Sequence, residues 1–176
     1  MTRPYTSTLP QASTRRNWCR RALGGLVLGL AGSAAWSQTP GQTLLPPSRS
    51  LPDELKLALS RRQVLVVMVS LDGCPFCRTA RQSHLVPMWR EGQTMVQVDL
   101  RSSVMTRDFE GRSVSHDELT RRWKVGIAPT LMFFGPGGQE VADRMEGAYL
   151  PDFYGPYLEE RLQQGRKRLG QAASTP

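Results

Sequence analysis

Cysteine is scarce in this chain of 176 residues, which contains three. Cys19 lies near the N-terminus, and Cys74 and Cys77 stand three positions apart in the middle of the chain. A structural zinc site needs four ligands, which usually come from two pairs of Cys or His residues. Because the sequence has no second cysteine pair, it lacks the pattern of a closed zinc site.

Acidic residues are absent from the first 37 positions, which contain five arginines. The formal net charge of the whole chain is +8, but the residues after position 37 include 18 basic and 15 acidic side chains, a net charge of +3. The positive charge is therefore concentrated at the N-terminus. The rest of the chain has too little excess charge to indicate nucleic-acid binding.

The N-terminal segment also lacks an apolar run long enough to span a membrane. Its apolar stretch, residues 22–36, has about fifteen residues, whereas a spanning helix needs roughly twenty. Basic residues precede this stretch, and the small residues Ala35 and Ser37 have the spacing of a signal-peptidase site. We therefore predict a signal peptide over residues 1–37, cleaved before Gln38, and a periplasmic mature protein. Cleavage near Ala35 and an uncleaved membrane anchor are the alternatives.

Cleavage of this segment leaves Cys74 and Cys77 as the only cysteines, in a compartment that favours disulfides. Residues 38–50 are rich in Pro, Ser and Gly, and this composition predicts a flexible linker. We expect one folded domain over residues 51–168. A disordered tail is predicted over residues 169–176.

Apolar patterns within the predicted domain alternate between strands and helices. A continuous run rich in β-branched residues at 63–70 predicts a buried central strand. Further strands are predicted at 94–100, 129–134 and 139–146, and helices at 52–60, 75–86, 115–124 and 151–168. Residues 101–114 are expected to form an irregular connector. This order implies an α/β fold with a small mixed four-stranded sheet flanked by helices.

The cysteine pair belongs to the segment CPFC, at the junction of the first core strand and a predicted helix. A disulfide between residues this close closes a tiny loop and removes little unfolded-state entropy, which disfavours a purely structural bridge. His84 lies about 10 Å along the helix from Cys77, whereas zinc bonds are about 2.0–2.3 Å long, so this helix cannot build a zinc site alone. Copper bound by both cysteines and a methionine stays open.

Redox chemistry agrees best with the residues around the pair. The positive end of the predicted helix stabilises a Cys74 thiolate, and Arg78, four residues on, adds positive potential on the same face. Cys77 lies one turn inside, where it can attack Cys74 and resolve a mixed disulfide. Pro75 has no N–H and Phe76 offers an apolar surface, so both are candidates for substrate contact.

A second segment, LTRRWKVGIAPTLMFF at residues 119–134, completes a pattern that resembles the thioredoxin superfamily. The resemblance covers roughly residues 51–168 and implies a thioredoxin-like fold. It implies a cis peptide bond between Ala128 and Pro129, whose backbone would bind an extended substrate strand with Ala128 as the contact residue. It also implies that the first cysteine of CPFC is the nucleophile and the second the resolving thiol.

Two departures from the family pattern leave the direction of electron flow open. Gly73 occupies the position before the first cysteine where thioredoxins usually have Trp. Met68 occupies the position of a buried Asp that transfers protons in many thioredoxins. The long connector at residues 101–114 most resembles that of exported thioredoxin-like proteins associated with sulfur oxidation.

We therefore predict an exported thiol–disulfide oxidoreductase that reduces disulfides of client proteins and needs no metal or other cofactor. The resemblance implies that a membrane thiol–disulfide protein supplies its electrons. The alternatives are a disulfide-forming oxidase and a non-enzymatic metal carrier or binding module of a periplasmic complex.

Overall fold

Helices and strands alternate along residues 44–148 and 151–172, the part of the chain that the computed structural model describes. The helices are α1 (Leu51–Ser60), α2 (Pro75–Ala80), α3 (Val86–Arg90), α4 (His116–Arg122) and α5 (Pro151–Ala172). The strands are β1 (Leu65–Ser70), β2 (Met95–Asp99), β3 (Met105–Arg107), β4 (Ser113–Ser115), β5 (Thr130–Phe134) and β6 (Met145–Glu146). The predicted α/β class is confirmed.

Four of the strands form one mixed sheet in the order β2-β1-β5-β6. Strand β1 runs parallel to β2 and antiparallel to β5, so that Val67 pairs with Val96 on one side and with Met132 on the other. Strand β6 pairs antiparallel with β5 over two residues only, which is shorter than the strand predicted at 139–146. This arrangement confirms the predicted small mixed sheet flanked by helices.

Strand β1 is buried on both faces of the sheet. Because successive side chains of a strand point to opposite faces, Val66 and Met68 join one apolar cluster, and Leu65, Val67 and Val69 join the other. The continuous apolar run in the sequence reflects this two-sided burial. The end of β1, and the cysteine-bearing turn that follows it, are therefore anchored in the middle of the core.

Residues 44–50 lie against the edge of the sheet and differ from the flexible linker that their composition predicts. The N–H of Gln97 donates to the carbonyl of Pro46, and the N–H of Ser48 donates to the carbonyl of Gln97, each at 2.8 Å. Leu45 is buried in the core. The reason is that β2 is an edge strand, whose open backbone groups pair with another segment.

The rest of the predicted linker, residues 38–43, and the predicted signal peptide, residues 1–37, lie outside the described residues. Helix α5 extends to Ala172, so the first residues of the predicted tail are helical. Residues 173–176 also lie outside the described part. Within the described ranges, no helix is long and apolar enough to cross a membrane.

Strands β3 and β4 form an antiparallel hairpin in the segment that the sequence predicts to be irregular. The carboxylate of Asp108, buried in its turn, accepts hydrogen bonds from the guanidinium groups of Arg112 and Arg122, both at 2.9 Å. Burial raises the pKa of Asp108, but hydrogen bonds from Arg112 and from the N–H of Glu110 outweigh it and hold the pKa below its ordinary value. The hairpin escapes prediction because three-residue strands are too short to show a periodic pattern.

The helix that carries the cysteine pair continues beyond its predicted end near Val86. A π-helical turn at Arg81–Leu85 joins α2 to α3, and the N–H of Val86 donates to the carbonyl of Arg81. This wider turn precedes Pro87, which has no N–H and whose ring crowds the preceding turn of an ordinary α-helix. The helix therefore reaches Arg90. Such π turns frequently occur at functional sites.

Candidate active site

Cys74 lies directly after the turn that connects β1 to α2. The N–H of Cys74 donates to the carbonyl of Leu71 at 3.2 Å, and Gly73 has a φ of +72°. The carboxylate of Asp72 accepts from the N–H of Gly73 at 3.0 Å and so caps the turn. Glycine adopts this φ without strain, whereas a tryptophan at the same position would be strained.

Cys74 is the N-cap residue of α2, and its sulfur accepts a hydrogen bond from the N–H of Cys77 at 3.2 Å. The same thiol donates to the carbonyl oxygen of Ala128 at 3.9 Å. Both cysteines are free thiols; Cys74 is half-buried, whereas only 1% of Cys77 is exposed. The geometry therefore lets an external sulfur reach Cys74 first.

The thiol of Cys77 is held in its protonated form. Burial, a hydrogen bond with Cys74 and the negative charge of Cys74 together raise the pKa of Cys77 to about 11. The N–H of Leu71 and the hydroxyl of Ser70 act in the opposite direction, because their hydrogen bonds to the sulfur lower its pKa. Since the thiolate is the attacking species in thiol–disulfide exchange, the raised pKa makes Cys77 a poor nucleophile at neutral pH.

A buried polar pair, not indicated by the sequence patterns, lies beside Cys77. The Nη2 atom of Arg81 donates to the hydroxyl oxygen of Ser70 at 2.8 Å, and both side chains are buried. Because Arg81 donates to this oxygen, the hydroxyl proton of Ser70 is free to point at the Cys77 sulfur. Met68 is fully buried in the apolar cluster that includes Cys77. The one sequence feature that could have indicated a role for Arg81 is its position four residues after Cys77, about one helical turn away.

The segment that precedes β5 lies against the cysteine pair. The peptide bond between Ala128 and Pro129 is cis, the isomer that the resemblance implies. Ala128 is half-buried and packs on the cluster that Cys74 also borders, whereas Pro129 is buried. The hydroxyl of Thr130 donates to the carbonyl of Ile127 at 2.8 Å and fixes the segment. Of the two residues implied to bind substrate here, Ala128 alone is accessible.

Exposed apolar side chains occur on both segments that border the Cys74 sulfur. Pro75 and Phe76 follow Cys74, and 60% of Phe76 is exposed. Ile127 precedes Ala128 and is 56% exposed, although the sequence patterns did not single it out. Exposed apolar side chains that lie close together are typical of protein-binding surfaces.

Arg78 follows Cys74 by four residues, as the predicted helix requires, and its side chain is exposed. Both residues line the same cleft. No hydrogen bond joins these two described side chains, and solvent screens the charge of the exposed Arg78.

The two histidines of the chain have other contacts. The ring of His84 stacks on Tyr154 with centroids 4.6 Å apart, and burial lowers the pKa of His84. His116 is buried; its Nδ1 accepts from the N–H of Asp99 at 3.1 Å, so its Nε2 carries the proton and donates to the carbonyl of Ser48 at 3.2 Å. Among the described residues, no group of three or more His, Cys, Asp or Glu side chains could hold a metal ion.

The sequence pattern of the thioredoxin-like domain matches residues 51–161. A thioredoxin from Thermus thermophilus has 22% identity and a TM-score of 0.48, covering 74% of this chain and 95% of that one. A DsbH oxidoreductase has 18% identity and a TM-score of 0.48, covering 73% of this chain and 92% of that one. A thioredoxin pre-protein from Schistosoma mansoni has 16% identity and a TM-score of 0.44, covering 69% of this chain and 98% of that one. No curated protein matches the sequence.

Proposed function

Because the chain belongs to the thioredoxin-like family, we propose that it is a thiol–disulfide oxidoreductase that reduces disulfides of exported client proteins. The position of the Cys74 sulfur carries this proposal. The sulfur is half-exposed, 3.2 Å from the backbone nitrogen of Cys77 and 3.9 Å from the carbonyl oxygen of Ala128. A client sulfur can approach Cys74 from solvent while Cys77 lies behind it.

The reaction consists of two thiol–disulfide exchanges. The Cys74 thiolate attacks one sulfur of the client disulfide, and the other client sulfur leaves as a thiolate that takes up a proton. Cys77 then loses its proton and attacks the Cys74 sulfur, which releases the second client thiol. One client disulfide gains two electrons, and a Cys74–Cys77 disulfide forms in the protein.

The mixed disulfide itself prepares Cys77 for the second exchange. In the free protein the Cys74 sulfur raises the pKa of Cys77 through a hydrogen bond and through its negative charge. A Cys74 sulfur bound to the client is neutral, so the charge contribution is lost, and a disulfide sulfur accepts the hydrogen bond from the Cys77 thiol more weakly than a thiolate does. The Ser70 hydroxyl continues to stabilise the Cys77 thiolate that performs the attack.

The client chain binds in extended form along the segment around Ala128. Pro129, which directly follows Ala128, is buried and anchors this segment. Pro75, Phe76 and Ile127 supply the exposed apolar surface on either side of the sulfur. This combination of backbone and apolar contacts suits a client recognised by the shape of an extended strand.

Electrons for a further turnover come from outside the chain, since the predicted mature protein has one cysteine pair. A compartment that favours disulfides needs a reductant supplied across the membrane. We assign this role to a membrane thiol–disulfide protein that reduces the Cys74–Cys77 disulfide. Export then depends on the signal peptide at residues 1–37.

Cys77→Ser tests the enzyme proposal, with Cys74→Ser as its matched control. The first variant can attack a client but cannot release it, so we expect covalent complexes that dithiothreitol dissolves on a non-reducing gel. The control lacks the nucleophile and should form none. Equal yields from both variants would contradict the proposed roles.

The location is tested on the full chain with a C-terminal tag. We expect the tagged protein in the periplasmic fraction, with an N-terminal sequence that begins at Gln38. A full-length protein that stays in the cytoplasm would contradict export.

A further inference from the structure

A cleft of about 570 Å³ opens beside Cys74 and extends to the residues that follow β2. Its charged lining residues are Asp72, Arg78, Arg81, Asp99 and Arg101. Three guanidinium groups therefore face two carboxylates, and the cleft has a net positive charge next to the nucleophile. Its volume suits a small group of a ligand rather than a folded domain.

Arg81 is a buried cation with an unused donor in this cleft. It is 7% exposed, and its Nη2 atom is bound to the Ser70 hydroxyl. Its Nε atom is buried and has no hydrogen-bond partner in the part of the chain that the structure describes. Within the described residues, no carboxylate lies within ion-pair distance of Arg81. A buried guanidinium with a free N–H is costly, and an anionic acceptor satisfies it.

An unused acceptor lines the same cleft. Gln97 is 8% exposed, and its Nε2 atom donates to the Asp99 carboxylate at 2.7 Å. Its Oε1 atom is buried and has no hydrogen-bond partner among residues 44–148 and 151–172. A ligand that offers both an anionic oxygen and a neighbouring N–H or O–H donor would satisfy Arg81 and Gln97 together.

The two carboxylates of the cleft already accept hydrogen bonds. Asp72 accepts from the N–H of Gly73 at 3.0 Å, and Asp99 accepts from Gln97. Arg101 stands exposed at the rim with a φ of +58°. Both donors are neutral, so the carboxylates keep their charge, and the three arginines leave the lining with a net charge of +1.

We propose that this cleft binds a carboxylate of the disulfide substrate while Cys74 attacks the substrate sulfur. The inference rests on the proposed function and names its substrate class: a disulfide with a carboxylate close to the sulfur. Such a carboxylate belongs either to a small acidic disulfide or to an acidic residue next to a client cystine.

The test compares reduction of three small disulfides by the reduced protein: anionic dithiodipropionate, neutral hydroxyethyl disulfide and cationic cystamine. Each reaction converts one disulfide into two thiols and the protein dithiol into the Cys74–Cys77 disulfide. Leaving-group pKa values differ among the probes, so each rate constant is divided by that of dithiothreitol with the same disulfide.

We expect the normalised rate constant for dithiodipropionate to exceed that for hydroxyethyl disulfide about tenfold, with cystamine the slowest, since hydrogen bonds to charged groups are the strong ones. Arg81→Gln should bring the anionic-to-neutral ratio close to one. Arg81→Lys should keep part of the preference, because it retains the charge but not the Nε donor. A ratio that Arg81→Gln leaves unchanged would overturn the inference.

Two further variants keep the result interpretable if Arg81→Gln is poorly folded. Arg101→Gln, at the exposed rim, should lower the ratio about twofold to threefold through lost charge. Arg168→Gln is the matched control on the exposed surface of α5; the adjacent Leu169 lies near Gly135, at the end of the sheet opposite Cys74. A ratio that falls equally in the control would contradict a local site.

A binding measurement separates failure of the inference from failure of the proposed function. Calorimetry on the Cys74→Ser/Cys77→Ser protein should show binding of dithiodipropionate that Arg81→Gln weakens about tenfold, and no binding of cystamine. Absence of dithiodipropionate binding overturns the inference whatever the activity. Binding in a protein that reduces no disulfide supports the site and overturns the proposed function.

Peptide disulfides with Glu or Gln beside the cystine identify the source of the carboxylate. Faster reduction of the Glu peptide, lost in Arg81→Gln, assigns the site to an acidic client segment. A preference limited to the small acidic disulfide assigns it to a small molecule. Equal rates for charged and neutral members of both probe sets would contradict the inference.

Discussion

The Nη2 atom of Arg81 donates to the hydroxyl oxygen of Ser70 at 2.8 Å, in a buried pair beside the resolving cysteine. This bond orients the Ser70 hydroxyl toward the Cys77 sulfur. Met68 fills the place where many thioredoxins have a proton-transferring Asp, so the polar group available to Cys77 is a hydroxyl fixed by a cation.

Ser70→Ala should slow the resolving step about threefold to tenfold. The Ser70 hydrogen bond lowers the pKa of Cys77, so its removal raises that pKa and leaves less thiolate at a given pH. Stopped-flow release of thionitrobenzoate from its mixed disulfide with Cys74 measures the step. Its pH profile should move to higher pH, which a purely structural effect would not cause.

Ser83→Ala is the control for this experiment, because Ser83 is an exposed serine on the π turn that begins at Arg81. Its profile should match that of the wild type. A Ser70→Ala profile that also stays in place would refute the assigned contact.

Cys77 should make the stability of the reduced protein fall at alkaline pH. Its pKa is about 11 in the folded state against an ordinary value of 9.0. Between these values the unfolded chain has lost the proton and the folded chain keeps it, so unfolding becomes easier as pH rises. Urea unfolding of wild type and Cys77→Ala across this window should show the wild-type advantage decreasing. A constant difference would show that the thiol is not perturbed.

Ala128→Glu should slow the first attack by Cys74 about tenfold or more. The Ala128 carbonyl oxygen lies 3.9 Å from the Cys74 sulfur, so a carboxylate at this position repels the thiolate across a short distance. Reaction of Cys74 with iodoacetamide measures the loss, which should shrink at high salt. Ala128→Gln has similar bulk and no charge; an equal loss in this control would point to steric obstruction instead.

Asp108→Asn should lower the free energy of unfolding by about 1–3 kcal/mol, because it weakens buried hydrogen bonds to two guanidinium groups. The folded-state pKa of Asp108 lies below its ordinary value of 3.8, so its stabilising contribution is complete above that pH and is lost as the pH falls below it. Denaturation of both proteins at neutral and acid pH should show the difference narrowing in acid.

Asp143→Asn removes an exposed carboxylate and should change stability by less than about 0.5 kcal/mol. A loss as large as that of Asp108→Asn would show that the hairpin carboxylate has no special role. If the stability difference between wild type and Asp108→Asn grows in acid, the folded-state pKa of Asp108 is raised rather than lowered.

The parts of the fold that the sequence predicts are those with strong local patterns. The β-branched run of β1 indicates a buried strand because both of its faces are covered, and the segment at 119–134 indicates the turn opposite the cysteines. The hairpin of β3 and β4 and the pairing of residues 44–50 with β2 depend on backbone hydrogen bonds, which leave no apolar period in the sequence. The structure of these two segments therefore depends on tertiary hydrogen bonds, which their composition does not reveal.

In the candidate site, too, some residues are indicated by sequence patterns and others only by the folded structure. Cys74 and Cys77 are recognisable from their spacing, and Ala128 from the resemblance of its segment to the thioredoxin superfamily. The sequence does not indicate a functional role for Arg81, because an arginine on a short helix is usually exposed to solvent. Arg81 is buried at the start of a π turn, a feature that no sequence pattern indicated.

The equilibrium reduction potential of the Cys74–Cys77 pair decides whether the protein reduces or oxidises its clients. Purified mature protein is equilibrated with dithiothreitol or glutathione redox buffers, and the dithiol fraction is counted after alkylation. A reductase of client disulfides requires a potential near that of thioredoxin, about −270 mV. A potential near −120 mV, as in a strong disulfide-forming oxidant, would contradict the account and reverse the direction of electron flow.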